Sequence, residues 1–374
     1  MHLSLHLKQY NMVEFNGTTD PKFDENKKFS ALDNFFLKFI NDKRDLAFVY
    51  LSIQITLFAL PVVVLLFSNV LQGGIWWAVC SAYLLIMLLY FMPSFTLMLH
   101  NTSHNALYKK EYGFMNYYIP WFVGLFFGQS PKTYIGHHVG MHHAENNLPI
   151  DDSSTMKYQR DSFIDFLKYY FTFMGVGIVN LAQYFTMRKQ PKKRTMVLKG
   201  EIFYFTLIFA LCFISVKASL MLFLVPLIII RFAMMAGNWG QHAFLDHRTP
   251  GSSYRNSITC INTVYNHKCF NDGYHIGHHL YPNLHWTEMA TNFEEEIDIY
   301  IEQRCIVFQK LDFFMVWFWL MQKRYDVLAN NYVNLGNQFQ TDEDLIAFLK
   351  ERTKKFESAE IEFVLTDALA QKRR

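Results

Sequence analysis

Long apolar stretches with at most one charged residue dominate the pattern of the chain. A bilayer is crossed by about 20 apolar residues in a helix. Four stretches approach or exceed this length, at residues 47–71, 75–99, 202–216 and 218–237. Only three residues separate the first two stretches, and Lys217 alone separates the last two. The pattern predicts an all-α integral membrane protein with four transmembrane helices in two hairpins.

Basic residues concentrate at the ends of these stretches that lie opposite the two turns. They are Lys43, Arg44, Lys109, Lys110, Arg188, Lys189, Lys192, Lys193, Arg194 and Lys199. Because positive residues stay on the cytosolic side, both termini and the long middle segment are expected to be cytosolic. Residues 114–127 and Phe313–Met321 are apolar but too short to span, which predicts interfacial or re-entrant helices.

We expect three parts: a cytosolic N-terminal segment (1–46), a membrane-embedded domain with a cytosolic helical cap (47–322) and a cytosolic tail (323–374). Of the 374 residues, 51% are hydrophobic and 37 are Phe, which suits helices that face lipid or line an apolar channel. The net charge of +3 gives no general attraction for nucleic acid. The five cysteines form no CxxC pair, in keeping with a reducing compartment.

Most histidines lie just beyond the predicted cytosolic ends of the spans. They are His100, His104, His137, His138, His142, His143, His242, His275, His278 and His279. Residues three or four apart share a helix face, so His100/His104, His138/His142 and His275/His278/His279 are each expected to converge on one metal. The adjacent pairs His142-His143 and His278-His279 diverge, which favours two metals in a shared cage. Asn238 precedes His242 by four residues and is expected to face the same point.

The number of histidines narrows the kind of site. Three or four ligands satisfy a zinc site, whereas nine histidines suffice for two metals with open positions. Imidazole also suits iron, copper and nickel, so the ligand type does not name the metal. A zinc-dependent membrane hydrolase or receptor and a metal transporter are the alternatives. The chain has no His-Glu-x-x-His motif, and Arg231 is the one charged residue inside the predicted spans; we interpret it as a snorkelling residue near the cytosolic end.

The spacing of these histidines resembles that of the membrane fatty acid desaturase and hydroxylase superfamily. The three boxes are His100-x3-His104, His138-x3-His142-His143 and His275-x2-His278-His279, and His278 begins the sequence HHLYP that is similar to the usual continuation of the third box. Asn238-x3-His242 resembles the additional ligand element of acyl-CoA desaturases, in which the Asn holds a metal-bound water. The resemblance covers roughly residues 47–284.

This resemblance implies a di-iron centre that uses O2 as co-substrate to introduce a double bond into a fatty acyl chain. Hydroxylation by the same centre is the nearest alternative. The implied ligands are nine histidines, namely the eight of the three boxes and His242. Asn238 is implied to act through a water. The candidates for surrounding and orienting these ligands are His137, Glu145, Asp246 and Asp272.

The resemblance also implies partners and a location. The substrate would be a lipid or acyl chain that enters from the bilayer. The chain has no HPGG-type haem motif, so electrons are expected from a separate donor such as cytochrome b5 or ferredoxin. The expected membrane is the endoplasmic reticulum if the source is eukaryotic.

Overall fold

A computed structural model describes residues 12–371, with side chains as far as residue 366. The first eleven residues and the final Lys372-Arg373-Arg374, which include both predicted cytosolic chain ends, lie outside the described residues. The described chain is mostly helical. Its α-helices are Ala31–Leu37, Leu46–Phe67, Gly73–Ile86, Met92–His104, Tyr118–Trp121, Thr133–His137, His143–Glu145, Phe163–Met187, Pro191–Ser219, Val225–Gln241, Ser253–Asn256, Val264–Lys268, His275–Leu280, Met289–Glu295, Ile297–Glu302, Phe313–Met321, Tyr325–Asn330, Asp342–Arg352 and Ser358–Gln371.

Tighter and wider helical turns connect several of these helices. The 3₁₀ turns are Lys43–Asp45, Lys110–Tyr117, Val123–Phe127, Trp286–Glu288 and Leu335–Asn337. The π turns are Met87–Phe91, His138–His142 and Leu220–Leu224.

Three helical segments among the described residues are long and apolar enough to cross a membrane. They are Lys43–Phe67, Gly73–His104 and Pro191–Gln241, of 25, 32 and 51 residues. Many of their large apolar side chains are exposed, for example Leu89 at 74% and Phe213 at 77%. Exposure of so much apolar surface suits a lipid environment.

The 51-residue segment reverses its direction within its length. Ser215 has non-helical backbone angles (φ −157°, ψ 106°), and the Tyr204 hydroxyl donates to the Phe223 carbonyl at 2.9 Å. In one straight helix these two residues would lie about 28 Å apart. The reversal coincides with the turn predicted at Lys217, whose Nζ lies 3.8 Å from the ring centroid of Trp76 near the start of the second apolar segment.

One long helix, Phe163–Met187, was not predicted. It begins after Ser162, whose side chain accepts from the Asp165 amide. Its buried side includes Phe166 and Tyr169, which contact Trp239 of the Val225–Gln241 helix. This helix therefore holds the middle segment against the third apolar segment.

A small parallel sheet departs from the all-α prediction. Strand Ile258–Ile261 pairs with strand Ile306–Gln309, and the connection between them carries the third histidine box. The tail packs on the same unit, since the Val333 amide donates to the Val307 carbonyl at 2.8 Å. The cap is therefore a helical layer built around a short buried β-ladder.

The two short apolar stretches fold differently from each other. Phe313–Met321 is one helix that packs along Val225–Gln241. Residues 114–127 form a series of short turns rather than one helix. The interfacial position of both stretches stays a prediction.

Candidate metal centre

Four local structures bring the histidine boxes to one place. His100 and His104 occupy the last turns of the second apolar segment. The second box lies on the π turn His138–His142 and the residue after it. His242 follows the end of Val225–Gln241, and the third box forms the short helix His275–Leu280. The boxes therefore meet where membrane-length helices enter the cap.

The histidines form two groups in which the ligand nitrogens lie within 4.8 Å of one another. The first cluster is His100, His104, His138 and His278, and the second cluster is His142, His242, His275 and His279. The Nε2 atom of His143 lies 2.8 Å from that of His278 and 3.1 Å from that of His138, so it joins the first cluster. All nine histidines predicted as ligands are thus brought together.

The expectation that His138 and His142 share a metal was wrong. His138 belongs to the first cluster and His142 to the second. The cause is the π turn, in which hydrogen bonds join residues five apart and positions five apart come onto one side. His138 and His143 therefore converge instead.

The third box divides in a related way. His275 and His279 are four residues apart and their Nε2 atoms lie 3.0 Å apart in the second cluster. His278 is three residues from His275 but lies in the first cluster, 2.9 Å from His100. The predicted divergence of His278 and His279 is confirmed, whereas the shared metal for all three is not.

The spacing of the nitrogens fits metal binding. Imidazole nitrogens bind first-row metals at about 2.1 Å, so two ligands at right angles lie about 3.0 Å apart. Six of the Nε2 pairs within the clusters are separated by 2.8 to 3.2 Å. Each cluster can therefore hold one ion with its nitrogens as neighbouring ligands.

The opposite ring nitrogens have supporting partners. The Nδ1 atom of His142 lies 2.7 Å from the Asp151 carboxylate, and that of His242 lies 2.7 Å from the Asn256 carbonyl. Such partners fix the ring orientation and leave Nε2 for the metal. The buried His275 Nδ1 has no hydrogen-bond partner among the described residues.

Burial keeps the rings of His242, His278 and His279 neutral. It lowers the pKa of His242 to about 3, with a smaller contribution from the nearby His142. Burial and the neighbouring histidines also lower the pKa of His278 and His279 well below the usual value. Neutral imidazoles have a free lone pair at physiological pH, which is the form that binds metal.

Asp272 and His137 were predicted to surround the ligands, and they differ in their contacts with the clusters. The Asp272 carboxylate is 3.8 Å from His100 Nδ1 and accepts from the Tyr265 hydroxyl at 2.7 Å, and burial raises its pKa to about 7. His137 lies outside both clusters, with its Nε2 atom 3.9 Å from Asp151.

Glu145 and Asp246 pair with arginines. The Glu145 carboxylate accepts from Tyr184 and from Arg188, each at 2.6 Å. Asp246 lies 3.1 Å from Arg352. These two carboxylates thus connect the box-bearing loops to other parts of the cap.

Asn238 lines a cavity together with His142 and His275 of the second cluster. Its amide nitrogen donates to the Ser153 carbonyl at 3.1 Å and to the Tyr169 hydroxyl at 2.8 Å. These bonds fix the orientation of the side chain. Binding of a water by its remaining oxygen stays a prediction.

Asp151 is the residue that the sequence analysis missed. It follows His142 by nine residues, and its side chain is fully buried. The only sequence signal was the Asp151-Asp152 pair shortly after the second box, in a segment with no recognisable period.

Replacement of Asp151 by Asn is expected to weaken metal binding in the second cluster by about 10- to 100-fold, because an amide holds the His142 ring less firmly. Metal titration of the purified protein should show one ion bound weakly and one retained. Asp152→Asn is the matched control, since Asp152 accepts from Asn180 at 2.6 Å. Equal affinities in both variants would contradict this role.

A largely apolar cavity of about 580 Å³ begins at the clusters. Its wall includes His100, His138, His142 and His275 at one side and apolar residues such as Leu89 and Phe232 elsewhere. Leu89 is also largely exposed. The cavity can therefore take an elongated apolar molecule with one part beside the histidines.

Comparison with known proteins agrees with this site. The family model described as fatty acid desaturase matches residues 74–310, which include all nine histidines of the two clusters. No curated protein and no solved structure gave a match. Because the matched region exceeds half of the chain, this protein belongs to the fatty acid desaturase family.

Proposed function

We propose that this protein is an O2-dependent desaturase that introduces a double bond into the acyl chain of a lipid, with one iron ion in each histidine cluster. The observation that carries this proposal is the continuity between the two clusters and the apolar cavity. A chain in the cavity would pass beside both metal positions. Bound iron would supply oxygen activation and removal of hydrogen from an unactivated C–H bond.

The residues of the chain would hold and orient the reactants. Nine buried or half-buried histidines would hold the ions, and the apolar wall would fix the acyl chain and keep water away from the clusters. Because Leu89 and Ile229 line the cavity, are exposed and lie on membrane-length helices, we propose that the chain enters from the bilayer.

We further propose four membrane crossings. The 51-residue segment would cross twice, with its reversal near Ser215 on the far side of the membrane. The clusters would then lie on the side that carries the basic residues, which is the cytosol. The electron donor would be a separate cytosolic-side protein, such as cytochrome b5 or ferredoxin, and the membrane would be the endoplasmic reticulum in a eukaryote.

Expression in a host of defined lipid composition tests the function. Mass spectrometry of total lipids is expected to show acyl chains with one additional double bond, and metal analysis is expected to show two irons per chain. Hydroxylated chains in place of unsaturated ones would identify the alternative reaction of the same site. One zinc per chain and no oxidised lipid would overturn the proposal in favour of a zinc hydrolase or receptor.

A further inference from the structure

A charged pair lies in the wall of the otherwise apolar cavity. The Arg231 Nη2 atom lies 3.3 Å from Glu201 Oε1 and 3.3 Å from Ser130 Oγ. Both charged side chains line the cavity and are mostly buried, with 18% of the Arg231 side chain and 10% of the Glu201 side chain exposed. Arg231 therefore does not snorkel to the interface as the sequence analysis expected.

The pair is separated from His242 along the Val225–Gln241 helix. Arg231 precedes His242 by eleven residues on the same helix, which corresponds to about 16 Å along its axis. A molecule that extends from the clusters to Arg231 would thus meet apolar walls first and a polar group at its far end. Ionisable groups inside membrane segments are costly and usually serve binding or transport.

The pair offers both kinds of hydrogen bond to a ligand. An arginine has five N–H donors, and the two bonds of Arg231 described above both use Nη2. Both are long, at 3.3 Å, so a closer acceptor could improve on them. Glu201 supplies acceptor oxygens beside these donors.

A third polar group lies in the wall of the same cavity. The hydroxyl of Thr133 lines the same cavity, is buried, and has no hydrogen-bond partner among the described residues. It lies 3.5 Å from the position that a Cβ on Gly200 would occupy, next to Glu201. The cavity wall thus contains an unsatisfied hydroxyl as well as an ion pair.

We propose that Arg231 and Glu201 bind a hydroxyl group at the far end of the lipid chain. A hydroxyl can donate to Glu201 and accept from Arg231 at the same time. A carboxylate fits less well, because Glu201 already neutralises Arg231 and would repel a second negative charge. The preferred ligand is therefore a lipid chain with an ω-hydroxyl or a hydroxyl near that end.

As a statement about the substrate class, this proposal rests on the proposed function. As a statement about which lipid binds in the cavity, it does not depend on the proposed function. A cavity with polar groups that require a partner discriminates strongly against an analogue that lacks the partner. We therefore expect palmitic acid to bind roughly 10- to 100-fold more weakly than its ω-hydroxy derivative.

Competition with a fluorescent fatty acid on the purified full-length protein tests this site. The ω-hydroxy derivative is expected to compete best, and both the ω-methoxy ether, which cannot donate, and the ω-carboxylic acid are expected to compete more weakly. Equal competition by palmitic acid and its ω-hydroxy derivative would overturn the proposal. Better competition by the ω-carboxylic acid would also overturn it.

A double variant tests the assigned residues. Glu201→Met with Arg231→Met removes both charges together and is expected to lower the preference for the hydroxyl to near unity. The control variant is Asp326→Ala with Arg324→Met, which removes an exposed ion pair with a separation of 2.7 Å and should keep the preference. An unchanged preference in the cavity variant would exclude these residues.

Product analysis separates the two proposals. Selective binding of the ω-hydroxy chain without oxidation of any lipid would support this site and overturn the proposed function. Oxidation of palmitic acid without any selectivity would support the function and overturn this site.

Discussion

Replacement of His278 by alanine is expected to abolish product formation, with a loss of more than about 100-fold. Loss of a residue that merely supports a ligand costs about 10- to 100-fold in affinity or activity, and loss of a ligand should cost more. The Nε2 atom of His278 lies 2.9 Å from that of His100 and 2.8 Å from that of His143, so its removal opens the first cluster at its centre.

The variant is expected to fold, because its helix is also held by its buried neighbour Ile276. Product per mole of protein, iron per chain and thermal unfolding should be measured together. His267→Ala is the control, since His267 is exposed and lies outside both clusters. Full product formation by His278→Ala would exclude the first cluster as part of the catalytic site.

The sequence predicted the presence of the histidine site better than its internal arrangement. The boxes and His242 were sufficient to select nine histidines that the fold brings together. Which ligands share a metal depended on the π turn His138–His142. A π turn has little sequence signature, and regular α-helical spacing pairs His138 with the wrong partner.

The long apolar segments were predictable for a simple reason. Runs without charge, such as residues 47–71, have few alternatives to a membrane-length helix. The sequence also predicted a turn at Lys217. That residue lies within the 51-residue helical segment Pro191–Gln241, close to the non-helical Ser215. The contact between Tyr204 and Phe223 is what demonstrates the reversal.

Tertiary contacts account for what the sequence did not reveal. The helix Phe163–Met187 carries Asp165 and Lys168, and its sequence was included in the middle segment that was expected to be cytosolic. Asp151 lies in an irregular loop, and only the folded chain brings it to His142. Arg231 was misread because its partner Glu201 is thirty residues away in the sequence.

The second large effect is expected at Arg160, which is far from any metal ligand in the sequence. Its guanidinium is fully buried and donates to several backbone carbonyls rather than to a carboxylate. These acceptors are Ala243, Thr155, Met156, Tyr158, Arg352 and Lys354. One side chain thus joins the loop after the second box, the residue after His242 and the C-terminal tail.

Arg160→Met is expected to lower the free energy of unfolding by at least about 3 kcal/mol. Methionine fills similar space but donates nothing. The carbonyls of Ala243 and Tyr158 have no other donor among the described residues, and a buried carbonyl left without a partner costs about 1–3 kcal/mol. The free energy of unfolding of Arg160→Lys should lie between those of Arg160→Met and the native protein, because an ammonium has three donors in place of five. Thermal unfolding in detergent measures all three proteins.

The substitution of Arg160 should also weaken metal binding by the second cluster, because the same carbonyl network positions His242. The His242 carbonyl accepts from Thr155 at 2.7 Å, and Arg160 binds the carbonyls of Thr155 and Ala243 on either side of that bond. We therefore expect Arg160→Met to release metal from the second cluster at a lower temperature than from the first. Arg324→Met is the control, as its exposed pair with Asp326 is worth at most about 1 kcal/mol. Equal unfolding temperatures for Arg160→Met and Arg324→Met would show that the buried arginine is dispensable and that the cap holds His242 by other contacts.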